Sequence, residues 1–247
     1  MERSNEVAEV CLLAGKIMLQ SGAETYRVED TMMRMAASFG MTHSHSYVTP
    51  TGIIFSMDGA GPTKLIRIVE RSTDLQKVAM VNDISRQISS GQLSLEAAYE
   101  RLKKLERQHL AYPFWAQVAA AAVASGCFVI MFQGKWHDFL PALVSGGIGF
   151  CGLDYVHRLV KIRFFAEFFA SFLAGIVAVS LVSLGLGTSL DKIIIGSVMP
   201  LVPGVLITNA VRDLMAGHLV AGLSKGAEAF LTAFAIGTGI AVILTMY

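Results

Sequence analysis

The chain has 247 residues, 53% of them apolar and only 16% charged, with a formal net charge of +1. A soluble domain of this length carries about 25% charged residues, so the composition argues against a wholly soluble protein. The near-neutral, scattered charges exclude a nucleic-acid surface. Residues 1–111 hold 13 of the 20 Lys+Arg and 13 of the 19 Asp+Glu. That asymmetry divides the chain into a soluble domain, residues 1–111, and a membrane domain, residues 112–247. The opening residues are charged and lack an apolar core, unlike a secretory leader. Cys11, Cys127 and Cys151 have no metal-ligand spacing and each reads as a small buried hydrophobe.

Residues 5–20 predict an amphipathic helix, with Val7, Val10, Cys11, Ala14, Ile17 and Met18 on one face. Gly22 stops it. A second helix carries Val28, Met32, Met35 and Phe39 and ends at Gly40. The junction Ser21-Gly22-Ala23-Glu24-Thr25-Tyr26-Arg27 has two readings. Ser21 and Glu24 have the spacing of a capping box, or Glu24, Thr25 and Arg27 form an interaction site. His43 and His45 make one His-x-His pair without a third ligand, which reads as a solvated loop rather than a metal site. Residues 46–57 and 64–69 predict two strands joined by the turn Asp58-Gly59-Ala60-Gly61-Pro62. The consecutive Ile53, Ile54 and Phe55 suggest a strand buried on both faces.

Thr73 with Gln76 has capping-box spacing for a helix carrying Leu75, Val78 and Ile88. Gly91 separates it from a helix capped by Ser94. The basic run Arg101, Lys103, Lys104 and Arg107 suits either an anionic membrane surface or a solvated face. The first domain is therefore α+β. It shows no nucleophile elbow, phosphate loop or paired carboxylates, so no catalytic residue, metal or cofactor is assigned.

A helix needs roughly 20 apolar residues to cross a bilayer. Residues 114–132, 139–156, 164–184, 193–211 and 227–246 provide five candidate spans, with Tyr112, Phe114, Trp115 and Trp136 as interfacial aromatics. One set of connections carries Arg158, Lys161, Arg163, Arg212 and Lys225, and the opposite set only Lys135 and Lys192. The positive-inside rule then puts the N-terminal domain in the cytoplasm and the C-terminus outside. The fold class is thus an α-helical membrane protein with five transmembrane helices, preceded by an α+β cytoplasmic domain. Ser145 and Gly149 form a small-x-x-x-small pair that lets helices approach closely. The odd number of spans, with no internal repeat, points to a second polypeptide or a homo-oligomer.

The fourth span is interrupted by Pro200, Pro203 and Gly204. Proline breaks a helix interior but suits a first turn, so a helix should restart at Pro203 or Gly204. Amides at Gly204, Val205 and Leu206 would lack intrahelical partners and present a positive end to a carboxylate. Thr208 follows one turn after Gly204, and Asn209, Arg212 and Asp213 share a face. Three readings compete for this stretch. Arg212, Asp213 and Lys225 mark a membrane boundary. Alternatively Pro203, Gly204, Thr208, Asn209 and Arg212 bind a small anionic or zwitterionic solute, with Asp213 or Glu228 in proton coupling or gating. A hydrolase built on Thr208 or Asp213 ranks last, because no base adjoins a nucleophile.

The stretch Pro203-Gly204-x-x-x-Thr208-Asn209-x-x-Arg212-Asp213-Leu214-x-x-Gly217, with Gly222 and Glu228, resembles the signature of the threonine/serine exporter family. Gly22-Ala23-Glu24-Thr25 with Arg27-Val28 resembles the motif of that family's cytoplasmic domain. The resemblance implies a non-enzymatic secondary exporter in the bacterial plasma membrane, moving threonine, serine or a dicarboxylate such as succinate. Five spans match the large component of a split system, which implies a smaller multi-span membrane subunit of the same family as partner. The competing functional reading is a membrane-anchored sensor or hydrolase acting through residues 1–111.

Overall fold

A computed structural model describes residues 2–57, 62–108 and 110–246. Two compact units emerge, one of Met1–Ala111 with Val205–Gly226, the other of Tyr112–Gly204 with Ala227–Tyr247.

In the first unit, α1 (Glu2–Gln20) and α2 (Thr25–Ser38) pack against a three-stranded antiparallel sheet, β1 (Ser44–Thr49), β2 (Gly52–Met57) and β3 (Lys64–Arg67), in the order β1-β2-β3. Helices α3 (Leu75–Ser89) and α4 (Leu95–Arg107) complete the layer. All six apolar positions named for α1 are buried, against Met32 and Met35 of α2 and Val48, Ile53 and Phe55 of the sheet. A side chain at Gly15 would run into Met32 and Ile53, so glycine there lets α1 come close. Burial pushes the Cys11 thiol up to about 12, which leaves it inert.

Several local expectations need correction. The first predicted strand is two strands, because Pro50 and Thr51 form a turn and Ser44 pairs with Met57. His45 therefore lies in β1 rather than in a loop. Ile53 and Phe55 are buried but Ile54 is 39% exposed, so β2 alternates and the sheet has one solvent face. Asp74, not Thr73, caps α3, accepting from the Lys77 amide. Ser94 does cap α4, accepting from the Ala97 amide. In the predicted turn 58–62, residues 58–61 lie outside the described residues.

The remaining helices are α5 (Phe114–Met131), α6 (Trp136–Val160), α7 (Arg163–Ser183), α8 (Leu190–Val198), α9 (Gly204–Met215) and α10 (Leu219–Met246). Among the described residues, four are long and apolar enough to cross a membrane, or up to five if the broken pair of α8 and α9 counts as one span. The break falls where the prolines require it: a 3-10 turn over Met199–Leu201, then a restart at Gly204.

The second unit packs through small residues. A Cβ on Gly146 of α6 would collide with the Ser125 side chain of α5, and one on Gly149 would meet the Ala174 side chain of α7 at 2.9 Å. Gly196 of α8 lies 2.9 Å by the same measure from the Ser125 carbonyl. Such contacts substitute for the hydrophobic driving force that lipid removes. Tyr112, Trp115 and Trp136 are largely exposed, as interfacial aromatics should be. Two cysteines depart from expectation: Cys127 is exposed and Cys151 half-buried, because a membrane helix turns apolar residues outward.

Candidate functional site

The site lies in the first unit, where the hairpin of α9 and α10 meets the turn between α1 and α2. Gly22 ends α1 at φ +86°, with its own amide on the Leu19 carbonyl and the Ala23 amide on Met18. That is a Schellman ending, and it needs the left-handed conformation that glycine tolerates. The chain then enters α2, whose N-cap residue is Glu24. The Glu24 side chain makes no capping bond, so the capping box of Ser21 with Glu24 does not form. The first amides of α2 are left in need of acceptors.

Asp213 supplies them from 188 residues away. Its Oδ1 accepts from the Thr25 amide at 2.9 Å and the Tyr26 amide at 3.4 Å, and its Oδ2 from the Thr25 hydroxyl at 2.9 Å. A carboxylate at a helix N-terminus also gains from the helix dipole. Asp213 is fully buried, so its charge requires compensation. Lys225, 4% exposed, provides it. Its three ammonium hydrogens find Asp213 Oδ2 at 2.8 Å, the Thr25 hydroxyl at 3.0 Å and the Ala23 carbonyl at 3.3 Å. Donors and acceptors balance, and a satisfied buried network of this kind specifies one arrangement.

The hairpin that carries both charges is built by two glycines. Gly217 closes α9 at φ +86°, with the His218 amide on the Asp213 carbonyl and its own amide on Leu214. A Cβ on Gly222 would meet Leu214 at 2.6 Å and the Ala210 carbonyl at 2.9 Å, so α10 approaches α9 closely at this point. Lys225 is thereby brought to Asp213.

Two further residues of α9 reach the same turn. Asn209 donates from Nδ2 to the Gly22 carbonyl at 2.8 Å. Arg212 Nη1 lies 2.6 Å from Glu24 Oε1, and Arg27 Nη1 is 3.1 Å from the other carboxylate oxygen. Burial pushes the Glu24 carboxyl up, but hydrogen bonds from its own amide and from Arg212, with the charge of Arg27, outweigh it and hold the group below its usual value. Nearby, Glu29 accepts from the Val48 amide at 2.8 Å and has His218 at 3.7 Å. There burial wins and the carboxyl is raised, opposed by the Val48 amide and His218 and aided by the charge of Asp213.

The two motifs singled out in the sequence, Gly22 to Arg27 and Asn209 to Asp213, are therefore one site. The model of the ThrE family, described as "Putative threonine/serine exporter", matches residues 9–247. The chain belongs to the ThrE family. It is 24% identical, over 98% of its length, to a "Probable threonine/serine exporter" of Mycobacterium tuberculosis. It spans about half the length of that relative, 46%. It is also 24% identical to the "Probable succinate transporter subunit YjjP" of Escherichia coli, over 100% of this chain and 96% of that one. The YjjP protein of Klebsiella aerogenes is 24% identical over 98% of this chain and 94% of its own. No solved structure shows significant similarity to the chain. The chain is thus a multi-pass membrane protein of a transporter family.

In this family member, the residues predicted to bind solute divide between two faces of α9. Asn209 is buried in the network, while Gly204, Thr208 and Arg212, each four residues apart, form an exposed stripe. Pro203 is buried before the helix start. The Gly204 amide is 2.8 Å from the Val202 carbonyl, so the expected row of three unpartnered amides is not met at that position. Thr208 donates its hydroxyl to the Val205 carbonyl at 3.0 Å. Lys225, read from sequence as a charge in a connection, lies inside α10. Its distance of 12 residues from Asp213, with Gly217 and Gly222 between, was the sequence signal for a tight helical hairpin.

Glu228 belongs to the second unit. Its Oε1 lies 2.8 Å from Arg163 Nη1, and the same guanidinium reaches Glu167 Oε1 through Nε at 3.0 Å. The sequence reading passed over Glu167, although an acidic residue inside a predicted span is itself a signal.

Proposed function

We propose that the chain is one subunit of a secondary exporter for a small carboxylate, either threonine or serine or a dicarboxylate such as succinate. The observation that carries this reading is Arg212. Its side chain is 60% exposed, yet its guanidinium holds a carboxylate, that of Glu24, at 2.6 Å. A planar guanidinium is suited to that group. The carboxylate of the solute replaces Glu24 on Arg212, one turn from the Thr208 hydroxyl. Asn209 keeps the backbone of the Gly22 turn in place during the exchange. Asp213 acts as the gate, since opening the Gly22 to Arg27 turn requires its bonds to α2 to break. Glu24, Thr25 and Arg27 are then the gating counterpart of the transport stripe.

The likeness to YjjP along nearly its full length supports a two-component exporter, with a smaller multi-span subunit of the same family as partner. The excess of Arg and Lys in one set of connections supports a plasma-membrane orientation with the N-terminal unit in the cytoplasm and the C-terminus outside. The proton gradient or membrane potential drives export.

Export of L-threonine and of succinate from preloaded cells tests the assignment. Arg212→Ala should reduce export of the transported probe roughly tenfold or more, the cost of a lost hydrogen bond to a charged group, at normal membrane level. Undiminished export of both probes would remove Arg212 from the site.

A further inference from the structure

Arg163, Glu167 and Glu228 form a cluster in the second unit that the transport stripe does not use. One guanidinium serves two carboxylates, so the three groups together carry one net negative charge when both acids are ionised. Glu167 is 4% exposed, and its Oε2 is buried without a hydrogen-bond partner. Buried polar atoms almost always find one. A carboxylate oxygen left so within an apolar helix is costly unless the group carries a proton. Thr232, one turn beyond Glu228 on α10, is also fully buried with its hydroxyl unpartnered.

We propose that Glu167 and Glu228 share a single exchangeable proton at Arg163, and that this is the proton-binding site of the exporter. The proposal rests on the exporter reading above. A proton from water adds to the pair and takes the cluster from one negative charge to neutrality. Its release restores the charge. Access is graded: the side chain of Arg163 is 47% exposed, that of Glu228 17% and that of Glu167 6%. The proton therefore enters from the exposed end and is held between the two acids.

Among the described residues, the ion pair of Glu167 is with Arg163. On α6, Asp138 accepts from the Thr188 and Ser189 amides, Asp154 and Arg158 are paired with each other at 2.8 Å, and His137 and His157 are exposed, as is Lys161 just after the helix. On α8 the charged residues are Asp191 and Lys192, and Lys192 donates to the Gln133 carbonyl. On α10 the charged residues are Lys225, whose ammonium is bonded to Asp213, Thr25 and Ala23, and Glu228, which reaches Arg163.

Infrared difference spectra of the purified full chain in lipid vesicles, between alkaline and acidic buffer, test this directly. The wild type should show the carbonyl band of a buried protonated carboxyl. Glu167→Gln and Glu228→Gln should each abolish it, and Asp154→Asn should keep it. Absence of the band, or its survival in both glutamine variants, overturns the proposal. If Glu167→Gln does not fold, Glu228→Gln alone decides, because a shared proton needs both acids. In membrane vesicles from cells expressing the full chain, an imposed pH gradient should stimulate flux of succinate or L-threonine. That stimulation should be lost in Glu167→Gln, and its survival there overturns the coupling. A band that behaves as expected, with neither probe moving in the wild type, counts against the exporter reading and leaves the proton site standing.

Discussion

Two buried carboxylates, Asp213 of the first unit and Glu167 of the second, are partnered in opposite ways, while Asp138 of the second unit is as fully bonded as Asp213. The first surrounds Asp213 and Lys225 with enough partners to satisfy every charged oxygen and ammonium hydrogen. Among its described residues, the buried side-chain atoms left without a partner are two serine hydroxyls, Ser46 and Ser85. The second unit is held by glycines and alanines at helix contacts, and it leaves a carboxylate oxygen of Glu167 and the hydroxyls of Ser145 and Thr232 unpartnered. A saturated network makes one arrangement much better than its alternatives.

The strongest way to break that contrast is to unbalance the saturated network. Asp213→Ala strands the Lys225 ammonium in a buried site and removes the acceptors of the α2 amides. Removing one partner of a buried pair costs about 3–5 kcal/mol. Replacing both partners by apolar residues of similar size can be nearly neutral. Asp213→Leu with Lys225→Met should therefore recover much of the loss of the single variant, although the α2 amides stay uncapped. Thermal unfolding followed by circular dichroism in detergent gives the comparison. A double variant no better than Asp213→Ala would mean that capping of α2, not charge balance, is the main contribution of Asp213.

The second unit is probed by two glycines of α10 that differ only in their surroundings. A Cβ on Gly239 would collide with the Ser171 side chain and lie 2.5 Å from the Phe168 carbonyl of α7, whose backbone cannot yield cheaply. A Cβ on Gly237 meets nothing within 4 Å. Gly239→Ala should destabilise by about 1–3 kcal/mol through overpacking. Gly237→Ala should be neutral or stabilise by up to about 1 kcal/mol, through helix propensity. Similar melting shifts for the two would remove small-residue packing as what holds the second unit together.

Much of the fold was legible before any coordinates. Periodicity located the helices of the first unit, and the two prolines located the break between α8 and α9. The strands were less legible, because residues 46–57 read as one strand although Pro50 and Thr51 turn the chain. Both motifs of the site were visible as separate stretches. Their meeting was not, since nothing local in Glu24 or Thr25 indicates an acceptor 188 residues away. The Ser21 to Glu24 spacing pointed to a local cap, and the tertiary acceptor Asp213 took over that role. Lys225 was misplaced because charge in an apolar region was read as a boundary, whereas here it neutralises a buried partner.

The smallest effects come from the two glutamates beside the network, and they have opposite signs. The Glu24 carboxyl is held low, so its stabilising contribution is complete above the usual carboxylate range and is lost as pH falls through its folded value. The Glu29 carboxyl is raised, chiefly by burial. In the window between its unfolded and folded values the folded chain binds the extra proton, so stability rises as pH falls through that window. Acidification from neutrality should first stabilise the chain through Glu29 and then destabilise it through Glu24. Glu29→Gln keeps an acceptor for the Val48 amide and removes the charge, so it should erase the initial gain. Glu24→Gln should soften the later loss, and at neutral pH should cost only about 0–1 kcal/mol, because Arg212 is largely exposed. Melting curves across pH 4–7 resolve the order, and a Glu29→Gln variant that still gains stability on mild acidification would remove Glu29 as the source of that gain.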